Sequence, residues 1–74
     1  MASALAPAER RIHRCAWLAV RLVRRGSVDY GQYFGHFGSS ERSYYRDLST
    51  LSRIGIDTKS VRDHGFVRLV REAL

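Results

Sequence analysis

A mainly α fold closed by a small β-hairpin (α+β) is what this sequence predicts, and three observations predict it. Apolar residues recur at helical spacing in three successive segments, each bounded by residues suited to start or stop a helix. After Gly55 the pattern changes to the alternation of strands, with Phe66 to Val70 as a second β-branched and aromatic run. The 74 residues make one small domain, near the lower limit at which a single hydrophobic core sustains itself.

Residues 1–6, Met-Ala-Ser-Ala-Leu-Ala, read as a small-residue tail, and residues 7–74 as the domain. Pro7 suits the first turn of a helix, and the run from there to Arg25 has no further breaker before Gly26. Ile12, Cys15, Ala16, Ala19, Leu22 and Val23 share the expected core face of this first helix, widened by Leu18 and Val20. The opposite face carries Arg10, Arg14, Trp17, Arg21 and Arg24. Tryptophan amid arginines has a bland reading, in which arginine stems cover the ring, and a sharper one as a partner surface. On the sharper reading, Arg14, Trp17 and Arg21 are the candidate dimer interface.

Val28 can begin a minimal strand, and Asp29 is a good N-cap with Gln32 at the capping-box position. The second helix is predicted over 30–37, with Tyr30, Tyr33, Phe34 and Phe37 forming an aromatic buried face. Gly31 and Gly35 weaken it by roughly 1 kcal/mol each relative to alanine. The expected reason for them is close packing of this helix against a neighbour. Gly38 and Ser39 then lead into the third helix, predicted over 40–54, with Ser40 as N-cap, Glu41 in the positive first turn and Gly55 as the stop. At about 100° per residue, Tyr44, Leu48 and Leu51 share one side, and Arg42, Arg46, Ser49 and Arg53 the other.

The hairpin is predicted over about 56–70. Ile56, Thr58 and Ser60 alternate with Asp57, Lys59 and Val61, and Arg62-Asp63-His64-Gly65 forms the turn, with Gly65 supplying a positive φ. Two helices joined by a tight glycine-containing turn, preceded by an amphipathic helix and followed by a basic hairpin, describe a three-helix winged helix-turn-helix.

Particular residues carry a resemblance as well: Phe37-Gly38-Ser39-Ser40-Glu41-Arg42-Ser43-Tyr44-Tyr45-Arg46-Asp47-Leu48, then Leu51, Ile54-Gly55-Ile56 and Gly65-Phe66. They resemble the N-terminal winged helix-turn-helix of the DeoR-type and WYL-domain bacterial transcription regulators, whose recognition helix begins Ser-x-Arg-Thr and continues Arg-Asp-Leu. The resemblance covers about residues 10–70. It implies that Ser40, Arg42, Ser43 and Arg46 touch phosphates or bases, that Leu48 and Leu51 are core, and that Asp47 partners a nearby cation. Three departures stand out: Ser39 replaces a usual valine, Tyr44 an isoleucine or valine, and Phe34 a small residue. Gly31 and Gly35 are expected to make room for these aromatics. Such regulators normally continue into a ligand-sensing domain, so the chain is expected to be an excised domain or a small stand-alone regulator, with no small-molecule effector site of its own.

Charge agrees with a polyanionic partner. Thirteen Lys plus Arg against seven Asp plus Glu give +6, and every cation but Lys59 is arginine, which forks to phosphates and base edges. The leading expectation is a sequence-specific, double-stranded DNA-binding transcription regulator. Its helix 40–54 enters the major groove with Arg42, Tyr45, Arg46 and Ser49, Ser40 and Ser43 hold phosphate, and Lys59 and Arg62 of wing 59–65 reach the backbone or minor groove. A module this small is expected to act as a homodimer on two half-sites. The alternative is a winged-helix protein-interaction module for an acidic partner. RNA or membrane-surface association through the first helix ranks below both. A single cysteine, Cys15, excludes an intrachain disulfide and cannot form a thiolate zinc site alone, and no secretory signal or membrane-length apolar run appears, so a cytoplasmic, nucleoid-associated protein is expected. His13, His36 and His64 lack metal spacing and no nucleophile motif or carboxylate pair is present, so neither enzymatic activity nor a cofactor is expected.

Overall fold

The computed structural model describes residues 6–61 and 65–70; the predicted turn residues Arg62 and His64, most of the predicted tail and residues 71–74 lie outside them. The elements run α1 (Pro7–Arg25), β1 (Ser27–Val28), α2 (Tyr30–Phe37), α3 (Glu41–Arg53), β2 (Thr58–Ser60) and β3 (Val67–Leu69). Each helix ends where its punctuation demands. Pro7 opens α1, and Gly26, at φ 80°, closes it by donating its amide to Leu22 O at 2.7 Å. Asp29 caps α2 by accepting from the Gln32 amide at 2.8 Å, and the Gln32 side chain accepts from the Asp29 amide in return. Ser40 caps α3 through the Ser43 amide at 3.2 Å.

The three strands form an antiparallel sheet in the order β1-β3-β2. Val28 pairs with Val67, and Thr58, Lys59 and Ser60 pair with Leu69, Arg68 and Val67. Two- and three-residue strands supply little ladder energy of their own, so the sheet is held largely by what it packs on. Val28 and Val67 turn inward to join Leu18, Leu22, Tyr33, Tyr44, Leu48 and Leu51 in one core. α1 packs against α3 and the sheet, and α2 against α3.

The face that α1 buries differs from the sequence expectation. The buried stripe is Leu18 and Leu22, continued toward the N-terminus by half-buried Arg14 and flanked by Cys15 and Ala19, whereas Ile12, Val20 and Val23 are 64%, 54% and 56% exposed and Ala16 is exposed too. The helix is rotated because Arg14 reaches inward to a buried carboxylate on α3. In α2, Tyr33 is buried, Tyr30 and Phe37 are half-buried, and Phe34 is 53% exposed instead of in the core.

The expected role of two glycines is also corrected. A Cβ on Gly35 would meet nothing within 4 Å, and one on Gly31 would meet only the Asp29 carboxylate at 3.1 Å, so neither permits a helix–helix approach. The close approach is at Gly65, where a Cβ would lie 2.7 Å from Tyr30 Cβ and 3.3 Å from the Tyr44 ring, at φ 74°. The Tyr44 hydroxyl donates to Gly65 O at 2.6 Å, with Val28 O 3.3 Å away, tying the strands to α3. The Tyr30 hydroxyl donates to Ser39 O at 2.8 Å and so fixes the turn between α2 and α3, which lacks an apolar anchor at Ser39.

The two kinds of glycine separate experimentally. Gly35→Ala should stabilise the domain by about 0.5–1 kcal/mol, because the site is helical and open. Gly65→Ala should destabilise it by about 2 kcal/mol or more, because a left-handed backbone and a steric clash coincide. Urea unfolding followed by circular dichroism measures both.

Candidate functional site

The candidate site is the outward face of α3. Its rotation is set from beneath. Tyr44, Asp47, Leu48 and Leu51 are buried, which leaves Arg42, Tyr45, Arg46, Ser49 and Arg53 exposed on the other side. None of these three arginines makes an ion pair among the described residues, where the one ion pair is Arg14–Asp47. Tyr45 is 43% exposed and packs edge-on against the Tyr44 ring at 5.1 Å, so the core sets its direction.

At the start of the helix, the Ser40 hydroxyl is engaged by the Ser43 amide and Ser43 is half-buried. The first-turn amides of Glu41 and Arg42 have no intrahelical partner, as in any helix N-terminus. Beside α3 runs an open cleft, lined by Tyr45, Ser49 and Ser52 from the helix and by Thr58, Ser60 and Val67 from the sheet. Ser52 donates to Asp57 at 2.6 Å, anchoring the end of the helix to the start of the hairpin. The hydroxyls of Thr58 and Ser60 were not among the sequence candidates; their place on the helix-facing side of β2 follows from the alternation already visible at 56, 58 and 60.

Lys59 lies elsewhere. It alternates to the far face of the sheet, where it is paired with Arg68 and shares a shallow surface with Arg25 and Ser27. The structure therefore separates the α3 arginines from a group behind the sheet, Arg25, Lys59 and Arg68, and it does not bring Lys59 together with Arg46. Arg62 is outside the described residues.

Of the candidate dimer residues, Arg14 is turned to the interior. Its Nε donates to Asp47 Oδ2 at 2.9 Å, and the same oxygen accepts from the Tyr33 hydroxyl at 2.7 Å. Asp47 is fully buried, and its Oδ1 has no hydrogen-bond partner among the described residues. The position of Arg14 was readable: it lies four and eight residues before Leu18 and Leu22, on their stripe. Trp17 is half-buried, stacked on His36 at 5.1 Å and edge-on to Phe37 at 5.5 Å, with the Arg21 guanidinium 5.0 Å from the ring. Arg21 Nε is buried without a hydrogen-bond partner among the described residues.

Burial pushes the Tyr33 hydroxyl pKa up, and its hydrogen bond to Asp47 adds to the shift. Burial likewise raises Tyr44, helped by Tyr45 and Asp29, and raises the Cys15 thiol, helped by the Asp47 charge. Among the described residues no group of His, Cys, Asp and Glu is placed to hold a metal ion, and no helix is long and apolar enough to cross a membrane. Comparison with protein-family models, curated proteins and solved structures finds no match for this chain.

Two outcomes follow from the buried carboxylate and its neighbours. Asp47→Ala strands the Tyr33 hydroxyl and the Arg14 guanidinium, and should cost about 3 kcal/mol or more, a large share of the stability of so small a domain. The urea midpoint of Asp47→Ala against wild type measures it. Because Cys15, Tyr33 and Tyr44 hold their protons more tightly in the folded chain than at their ordinary values of 9.0 and 10.0, the stability they contribute is complete below about pH 9. It is lost as pH rises above that, so unfolding midpoints should fall steadily between about pH 9 and 11.

Proposed function

We propose that this chain is a winged helix-turn-helix domain that binds double-stranded DNA, non-enzymatically, as a bacterial transcription regulator of the DeoR and WYL kind. The observation that carries the reading is the fixed rotation of α3. Asp47 is buried with Tyr44, Leu48 and Leu51, so Arg42, Tyr45, Arg46, Ser49 and Arg53 face outward together, with no ion pair among the described residues. Such a face suits a major groove, since arginine binds guanine edges bidentately or clamps phosphates. Support comes from the element order and from the three-residue turn, Gly38-Ser39-Ser40, between α2 and α3.

On this reading Arg46 and Arg42 contact bases or phosphates, Tyr45 and Ser49 pack along the groove wall, and the first turn of α3 at Ser40 and Ser43 meets a phosphate. The hairpin faces the duplex with Thr58 and Ser60, and Lys59 with Arg25 and Arg68 forms a separate cationic surface. Strong salt dependence is intrinsic to such binding.

A second reading, a module for an acidic protein partner, draws on one observation: the unpartnered Arg21 Nε beside Trp17, with Arg24, Arg25 and His36 around it. Fluorescence anisotropy with a random duplex pool and with sites selected from it separates the two. Under the DNA reading, wild type binds duplex with an affinity that falls steeply with salt, and Arg46→Ala weakens selected-site binding by about tenfold or more at unchanged thermal stability. Arg21→Ala leaves it within about twofold. Unchanged affinity in Arg46→Ala, or binding insensitive to salt, removes groove insertion by α3.

A further inference from the structure

We propose that the outer face of the sheet is a second phosphate-binding surface, which lets one chain hold a second DNA duplex while α3 occupies the first. The proposal rests on the DNA reading of α3 and adds the bridging of two duplexes to it. Its centre is a row across the three strands: Ser27 of β1 lies opposite Arg68 of β3, which lies opposite Lys59 of β2. Residues directly opposite one another share a face, so the three side chains stand on the side away from the core together. Arg25, at the end of α1, borders the same shallow recess, as do Phe66 and Val70.

Nothing within the described fold compensates these charges. Lys59 and Arg68 are like charges directly opposite across the ladder, a placement that weakens a sheet. No carboxylate among the described residues lines the recess, and none of Arg25, Lys59 and Arg68 has an ion pair or a side-chain hydrogen bond among them. An anion seated between the cations turns their repulsion into attraction.

Geometry and chemistry say which anion. The row spans about 10 Å at the usual strand spacing, over which one strand of a duplex carries about three phosphates. Arginine forks to phosphate oxygens, and Ser27 adds a hydroxyl. Arg25 also lines the adjoining recess with Arg21 and Arg24, so the cationic surface continues along α1, as an extended polyanion requires. An acidic polypeptide fits less well. No exposed aromatic ring lines the recess, and anchors of that kind carry much of the energy of protein–protein contacts.

The alternation of β2 keeps the two surfaces apart. Thr58 and Ser60 line the cleft beside α3 with Tyr45 and Ser49, whereas Lys59 between them faces the other way. A duplex seated on α3 therefore leaves the row of Ser27, Arg68 and Lys59 open to another.

Bead capture tests the proposal: a selected-site duplex is immobilised, the full chain is added, and retention of a labelled duplex lacking the site is measured. Wild type should retain the second duplex at about 0.1 M salt and release it as salt rises. Lys59→Glu should cut retention about tenfold or more while affinity for the selected site, read by anisotropy, stays within about threefold. The thermal midpoint of that variant should hold or rise, because the substitution places a carboxylate opposite Arg68. Arg68→Gln should lower retention several-fold, and Lys59→Arg should preserve it. Retention unchanged in Lys59→Glu, as two chains paired through another face and each using α3 would give, overturns the proposal. So does polyglutamate that blocks retention at a lower charge concentration than unlabelled duplex, which assigns the surface to an acidic polypeptide. Attachment of the chain to the beads without retention of the second duplex overturns this proposal alone, whereas a wild type that never attaches overturns the reading of α3 as well.

Discussion

The buried carboxylate of Asp47 is the constraint on which the arrangement of the three helices depends. It sits on α3, takes a hydrogen bond from Arg14 of α1 and another from Tyr33 of α2, and is wholly removed from solvent. Each charge-assisted bond contributes about 1.5–3 kcal/mol, and desolvating the carboxylate costs several kcal/mol in return, so the net stabilisation is modest. What the triad supplies is orientation. Turning α3 by one residue, about 100°, would strand the Arg14 and Tyr33 donors and carry Tyr44 out of the core. The outward direction of Arg46 is therefore a consequence of where its neighbour points.

Tyrosines perform the corresponding task for the connections. Tyr30, Tyr33 and Tyr44 form a contiguous cluster with ring centroids 5.1–6.2 Å apart, and each hydroxyl ends on an acceptor contributed by a different part of the chain. Tyr30 holds the turn at Ser39, Tyr33 holds Asp47, and Tyr44 holds the strand entry at Gly65. A small domain with limited aliphatic volume thus gains both buried area and directional bonds from the same side chains. The cost is local crowding, met at Gly65, where a side chain would collide with Tyr30.

The boundaries of the helices were legible because each has a residue with one clear job: Pro7, Gly26, Asp29, Ser40 and Gly55. The inward set on α3 was legible for the same local reason, three apolar residues at one spacing. The rotation of α1 was not, because the helix carries two stripes that compete for the core. Apolarity alone favours Ile12, Ala16 and Val23, whereas the stripe of Arg14, Leu18 and Leu22 prevails through a carboxylate 33 residues away in sequence. Gly31 and Gly35 misled in a related manner, since the spacing of glycines says nothing about which of them faces a neighbour. The division of cations between α3 and the far side of the sheet depends on strand alternation at Lys59, which a short basic hairpin conceals when its charges are counted together.

Lys59 has one more consequence. It occupies the middle of β2, an outer strand only three residues long, whose other side is unpaired among the described residues. Unpaired strand edges invite addition of strands from other molecules, and brevity with a central lysine is a common defence against it. An incoming chain would have to desolvate an ammonium group already facing Arg68 across the ladder. The residue first singled out for contact with a polyanion is thus also placed to keep copies of this sheet from stacking edge to edge into aggregates.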